Sequence, residues 1–137
     1  YLINEETDEF ELAASNGLSD EYLGKGPVSV SRPVAKSLTE GPMAVYDTQE
    51  DPRVQYPEAA KKEGVVSILS VPIYVRGDVI GAMRVYCSDD WEFTLEGVSV
   101  VQALAELAGM VIDLTRLIQG QNEYIDVQET LKEVRER

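Results

Sequence analysis

Glu63-Gly64-Val65-Val66-Ser67-Ile68-Leu69-Ser70-Val71-Pro72-Ile73-Tyr74-Val75, then Arg76-Gly77-Asp78, then Val79-Ile80-Gly81-Ala82-Met83-Arg84-Val85-Tyr86-Cys87 is the stretch that decides how this chain folds. Val65 to Val75 is its most apolar segment, β-branched and interrupted only by Ser67, Ser70 and Pro72. That composition predicts a strand buried on both faces and placed centrally in a sheet. Pro72 has no N–H for a ladder, so it predicts a bulge or a locally unpaired edge. Arg76-Gly77-Asp78 has the residues of a tight turn, and Val79 to Cys87 is expected to fold back as the partner strand of a hairpin.

Working outward toward the N-terminus, Pro57 to Lys62 reads as a short helix closed by Gly64. Asp47 to Tyr56 is rich in turn formers and reads as loop, and Met43 to Tyr46 as a brief strand. Arg32 to Thr39 reads as a helix stopped by Gly41-Pro42. Ser19 is positioned to cap a short helical turn before the breakers Gly24 and Gly26. Tyr1 to Ile3 and Phe10 to Ala14 are expected to form an opening hairpin, the second strand alternating Phe10, Leu12 and Ala14 against Glu9, Glu11 and Ala13 and ending at Asn16-Gly17.

Toward the C-terminus, Thr94 is the expected N-cap of a long helix, with Glu96 in its first turn where the helix dipole favours an anion. Apolar residues at 98, 101, 104, 105, 108, 111 and 112 form a stripe wide enough to pack on a sheet. From Val98 onward few residues break a helix, and such length predicts a linker or coiled coil. Leu104, Leu107, Val111, Leu114 and Ile118 follow one heptad register, expected to pack the domain. Tyr124, Val127, Leu131 and Val134 follow a second, expected to pair with a partner, and the change falls near Gly120. A tail that is simply a frayed helix is the alternative.

The 137 residues suit one domain with a substantial core, and 44% hydrophobic with 27% charged residues is ordinary globular usage. A formal charge of −13, from 25 acids against 12 bases, repels phosphate backbones and anionic lipid, so neither nucleic acid nor a membrane surface is an expected partner. No unbroken apolar run approaches the roughly 20 residues of a membrane span. The chain has no histidine and one cysteine, Cys87, which removes intrachain disulfides, Cys/His zinc sites and histidine-based catalytic groups. No metal, cofactor or catalytic residue is expected, and the chain is read as a non-enzyme of the reducing cytoplasm. Its opening at Tyr1 rather than Met suggests a piece of a longer protein.

In order along the chain, Gly17-Leu18, Asp47, Asp51-Pro52-Arg53, Glu63 to Ile73 with Val71-Pro72-Ile73, Gly77-Asp78-Val79-Ile80-Gly81, Arg84-Val85-Tyr86 and Phe93-Thr94 resemble, in type and spacing, the GAF domain of bacterial signal-transduction sensors. The resemblance spans the chain. It implies an α+β, GAF/profilin-like fold: a central antiparallel sheet of five or six strands, helices on both faces and a long C-terminal helix. Residues 1–118 would be the domain, without the family's usual N-terminal helix, and 119–137 a linker or coiled-coil helix. It also implies a homodimer through terminal helices and an output domain outside this chain.

By the same resemblance, a ligand pocket would lie between the sheet and the layer formed by residues 20–65, lined by Val45, Tyr46, Asp47, Val54, Tyr56, Ile68, Ser70, Met83 and Arg84. Strand periodicity separates Ala82, Arg84 and Tyr86 from Gly81, Met83 and Val85, and only one set can reach one pocket. A guanidinium on an apolar strand needs an anion if buried: either a ligand carboxylate or phosphate, or a structural acid such as Asp47, or else it lies at the sheet edge. Asp51-Pro52-Arg53 with Tyr56-Pro57 is either a lid or a fixed turn. Bilin- and haem-binding members of the family use a cysteine or histidine that this chain lacks in the pocket loops, sulfoxide-reducing members use several cysteines, and the cyclic-nucleotide signature is absent, with Gly97 four residues after Phe93. The expected function is a sensor for an unidentified small organic molecule that relays its state through the C-terminal helix; the alternative is a structural dimerisation module with no ligand.

Overall fold

In the computed structural model, which describes residues 1–28, 39–90 and 93–136, the decisive stretch is a long β-hairpin at the middle of a sheet. The strands are β1 (Leu2–Asn4), β2 (Glu9–Glu11), β3 (Met43–Val45), β4 (Ser67–Val75) and β5 (Asp78–Cys87). They form one antiparallel five-stranded sheet in the order β2-β1-β5-β4-β3. The described helices are α1 (Asp20–Leu23), α2 (Pro57–Glu63) and α3 (Leu95–Arg135). The helix expected from Arg32 to Thr39 falls on a segment that lies, but for Thr39, outside the described residues.

Register runs from Ser67↔Cys87 to Val75↔Asp78, and the turn between holds Arg76 and Gly77 at φ 52° and 86°, the paired positive φ of a type I′ hairpin. Pro72 is accommodated at an unpaired edge. Its partner Ala82 exchanges both backbone bonds with Tyr1, at 2.9 and 3.0 Å, so the Pro72–Ala82 pair makes none across the hairpin. The Pro72 nitrogen therefore faces the β3 side, where β3 has already ended at Met43, opposite Ser70. The register shift comes one residue later, between Ile73 and Tyr74.

β2 is shorter than the sequence suggests. Phe10 is buried between exposed Glu9 and Glu11 as alternation requires, but the strand stops at Glu11 and leaves Leu12 43% exposed. α1 is capped by Ser19, whose Oγ accepts from the Tyr22 N–H at 3.1 Å, and α2 closes at Gly64 in the left-handed region.

Between Ser67–Ile73 and Gly81–Cys87 the two faces of the hairpin divide by parity; beyond the register shift, Ile80 also packs on the α3 side. Leu69, Val71 and Ile73 of β4, with Met83 and Val85 of β5 and Ala44 of β3, pack against Val98, Val101, Ala105 and Ile112 of α3. On the opposite face Val45 and Ile68 meet Tyr22 of α1, Ala60 of α2 and Val65, with Tyr86 beside them. Ala82 joins Phe10 and Val28 there.

α3 starts at Thr94, whose Oγ1 accepts from Gly97 N–H at 3.1 Å, and at 1.5 Å per residue runs for about 60 Å. The residues that seat it are small. Val101, Ala105 and Gly109 are buried, and a Cβ on Gly109 would stand 2.3 Å from the Tyr74 carbonyl oxygen, so the backbones meet almost directly. This corrects the expected assignment of the first heptad seam. Leu104, Leu107, Val111, Leu114 and Ile118 are 49–62% exposed, because the stripe offset by one residue, through Val101, Ala105 and Gly109, permits closer approach to the sheet. From Leu114 to Glu136 every described residue is exposed. α3 also contains an 18-residue window of mean hydropathy 1.5, apolar and long enough by those measures alone to cross a membrane, of which 17% is buried.

Candidate functional site

On the face of the sheet away from α3, the described residues enclose a cavity of about 370 Å³. Its floor is Met43 and Val45 of β3, Ile68 and Ser70 of β4 and Arg84 of β5, all of one parity. Tyr22, Lys25 and Val28 form one wall, and Pro52 to Tyr56 the other.

The second wall is a built loop. Thr48, 1% exposed, donates its hydroxyl to Val65 O at 2.7 Å and its N–H to Val66 O at 2.8 Å, fixing the loop to the entry of β4. Asp47 Oδ1 accepts from Gln49 N–H at 2.8 Å, an Asx turn. Arg53 forks onto Asp51, with Nε to Oδ1 at 2.9 Å, and its Nη2 donates to Ala44 O at 2.8 Å. The Arg53 hydrogen bonds hold the Asp51 carboxyl below its ordinary range. Tyr56 reaches across the cavity mouth and donates its hydroxyl to Pro27 O at 2.7 Å.

Of the residues expected to line a pocket, Val45, Val54, Tyr56, Ile68, Ser70 and Arg84 are brought together. Tyr46, Asp47 and Met83 are not. Met83 has the wrong strand parity and packs among the residues under α3, and Tyr46, one residue past β3 and 57% exposed, lays its ring 5.7 Å from that of Phe93. Asp47 is exposed and occupied by its own turn. Tyr22, Lys25, Val28, Met43, Pro52, Arg53 and Gln55 line the cavity without having been singled out. Met43 was available from its alternation with Val45, and Lys25 as the first base in the chain, after seven acids; the others needed the tertiary fold.

Arg84 is the polar centre. Among the described residues its buried Nε has no hydrogen-bond partner, and no carboxylate pairs with the guanidinium, so Asp47 is not its counter-ion. The guanidinium lies 5.4 Å from the centre of the Tyr1 ring. Tyr22 and Tyr86 meet edge to face at 5.8 Å, and the buried Tyr86 hydroxyl, beside that of Tyr1, makes no hydrogen bond of normal geometry among the described residues. Burial first, then the neighbouring Tyr86 phenol, pushes the Tyr22 hydroxyl up to about 12. Lys25 stands over the Tyr22 ring, Nζ 3.9 Å from its centre, and donates to Tyr22 O at 3.2 Å. Burial and then the Arg84 charge lower its pKa from the usual lysine value.

A second, mainly apolar concavity of about 620 Å³ opens where residues 12–18 and β1 approach Ala108 and Ile112 of α3, and it shares Arg84. Among the described residues no group of His, Cys, Asp or Glu is arranged to hold a metal ion.

The GAF domain family model matches residues 1–113, ending where burial of α3 ends. Similar solved structures include a domain of a putative two-component sensor histidine kinase from Sinorhizobium meliloti, with TM-score 0.73 and 17% identity over 88% of this chain and 80% of that one. The GAF domain of the cyanobacteriochrome TePixJ superposes with TM-score 0.67 and 14% identity, covering 85% and 77%. A GAF domain/HD domain protein from Geobacter sulfurreducens gives 0.63 and 22%, covering 77% and 72%. No curated protein matches the chain. With the sheet order, the long closing helix and a family match over most of its length in agreement, this chain belongs to the GAF domain family.

Proposed function

We propose that this is a non-catalytic sensory domain of a larger cytoplasmic signalling protein, in which a small organic molecule occupies the 370 Å³ cavity and its presence is passed to α3. The observation that carries this reading is the parity of the central hairpin. Ser70 and Arg84 border the cavity, while their chain neighbours Leu69, Val71, Met83 and Val85 carry α3, so displacing either strand displaces the other layer. Close packing transmits such shifts rather than absorbing them. Residues 1–118 act as the sensing body and 119–137 as the outgoing linker. The apolar window of α3 is better used against the sheet than in a bilayer, since Val101, Ala105 and Gly109 are seated there. A thermal-shift screen of metabolites, nucleotides and small organic acids tests the reading. Concentration-dependent stabilisation supports it, and a flat response across the collection overturns it.

The exposed seam Leu104, Leu107, Val111, Leu114 and Ile118 favours a second reading alongside it, a homodimer formed through this helix. Leu114→Asp is then expected to shift sedimentation from dimer to monomer with little change in the fold. Wild-type protein that sediments as monomer removes this reading.

A further inference from the structure

The chemistry of the cavity narrows what it takes. The chain carries a formal charge of −13, yet among the described residues the cavity lining contains Lys25, Arg53 and Arg84 and no Asp or Glu. Arg53 is matched by Asp51, which leaves Lys25 and Arg84 among the described lining residues. Neither Lys25 nor Arg84 pairs with a carboxylate among the described residues. Glu63, whose charge Lys25 feels, is engaged by Ser19, whose backbone N–H donates to Oε1 at 2.7 Å and whose hydroxyl donates to Oε2 at 2.5 Å. Two desolvated like charges raise each other's energy, and a buried N–H without an acceptor adds to it. An anion placed between them would relieve both costs.

Size and the remaining walls set the rest of the molecule. A volume of 370 Å³ corresponds to about a dozen waters at ~30 Å³ each, which suits a compact small molecule. The lining beyond the cations is largely apolar, through Met43, Val45, Val54 and Ile68. We propose that the cavity takes a compact organic anion, its carboxylate or phosphate held between Lys25 and Arg84 and its apolar body laid against Val45, Val54 and Ile68. This rests on the cavity being a ligand site.

The test is a fragment collection of matched size, divided into carboxylates, phosphates, neutral amides and amines, titrated into isotope-labelled protein while the Arg84 Nε–H and the backbone amides of residues 22–28 and 53–56 are followed. Carboxylates, phosphates or both are expected to shift these signals at concentrations at least tenfold lower than the matched amides, and the comparison of the two anionic arms identifies the head group. Lys25→Gln is expected to weaken the anions tenfold or more and leave the amides unchanged. Arg84→Met is expected to abolish anion binding while raising the melting temperature of the empty domain, because it removes an unmatched charge; a purely structural Arg84 would lower it. Amides or amines that bind the cavity as well as anions do overturn the anion assignment and leave the site. No perturbation of cavity residues by any class overturns the site itself.

Discussion

The two faces of one sheet in this domain are filled in opposite ways. Beneath α3, Leu69 and Val71 are 1% exposed and the helix backbone comes close enough at Gly109 that a single methyl would strike Tyr74 O. Under α1 and the 47–56 loop, the same two strands leave a cavity bordered by a guanidinium that no carboxylate matches among the described residues. The difference teaches that close packing and open volume fall on alternate residues of the same strands. β4 reads Leu69, Val71, Ile73 to the helix and Ile68, Ser70, Pro72 to the loops, so a one-residue step changes the job of a side chain.

The contrast is broken most severely from the helix side. Leu69→Ala removes a fully packed side chain and is expected to destabilise by about 3 kcal/mol in urea titration, whereas Val54→Ala, at the wall of an existing cavity, is expected to lose about 1 kcal/mol. Equal losses would show that the faces do not differ in packing. Gly109→Ala is next, at about 2 kcal/mol, since backbone rather than a flexible side chain stands in the way. It is also expected to loosen α3 from the sheet, seen as faster amide exchange from residue 105 onward.

Much of this was legible in the sequence, and the failures have one origin. The central hairpin, its turn and the caps at Ser19 and Thr94 were readable because each is local: alternation, turn residues and a cap oxygen three positions from its donor. Parity was not, because alternation separates Met83 from Arg84 without saying which face holds a cavity. The seam on α3 failed for a related reason. A helix with two adjacent apolar stripes, one through Leu104 and Val111 and one through Ala105 and Ile112, looks as if its larger residues should pack, but the sheet selects the small ones because they let it approach. That Arg84 has no counter-ion among the described residues was equally invisible, since Asp47 is turned into its own loop.

Smaller effects sharpen the picture of the cavity mouth. Tyr56→Phe removes the bond to Pro27 O and is expected to lower stability by about 1 kcal/mol while speeding exchange in residues 24–28 and 53–56, with no change in α3. The least effect is on the alkaline limb. Because the folded Tyr22 phenol titrates near 12 against an ordinary 10, the folded state holds its proton more tightly. Its contribution to stability is therefore complete below pH 10 and is lost as pH rises toward 12. Tyr22→Phe should flatten that part of the stability profile; an unchanged slope would mean other groups produce it.

The central claim is that occupancy of the loop face is felt by the helix on the other face. Amide hydrogen exchange, measured with and without each fragment that raises the melting temperature, addresses it in one experiment. The account predicts that such fragments slow exchange at Arg53–Tyr56 and at Arg84, and in the same samples alter it along Ala108–Ile118. Protection confined to the cavity, with Ala108–Ile118 unchanged, would contradict the relay.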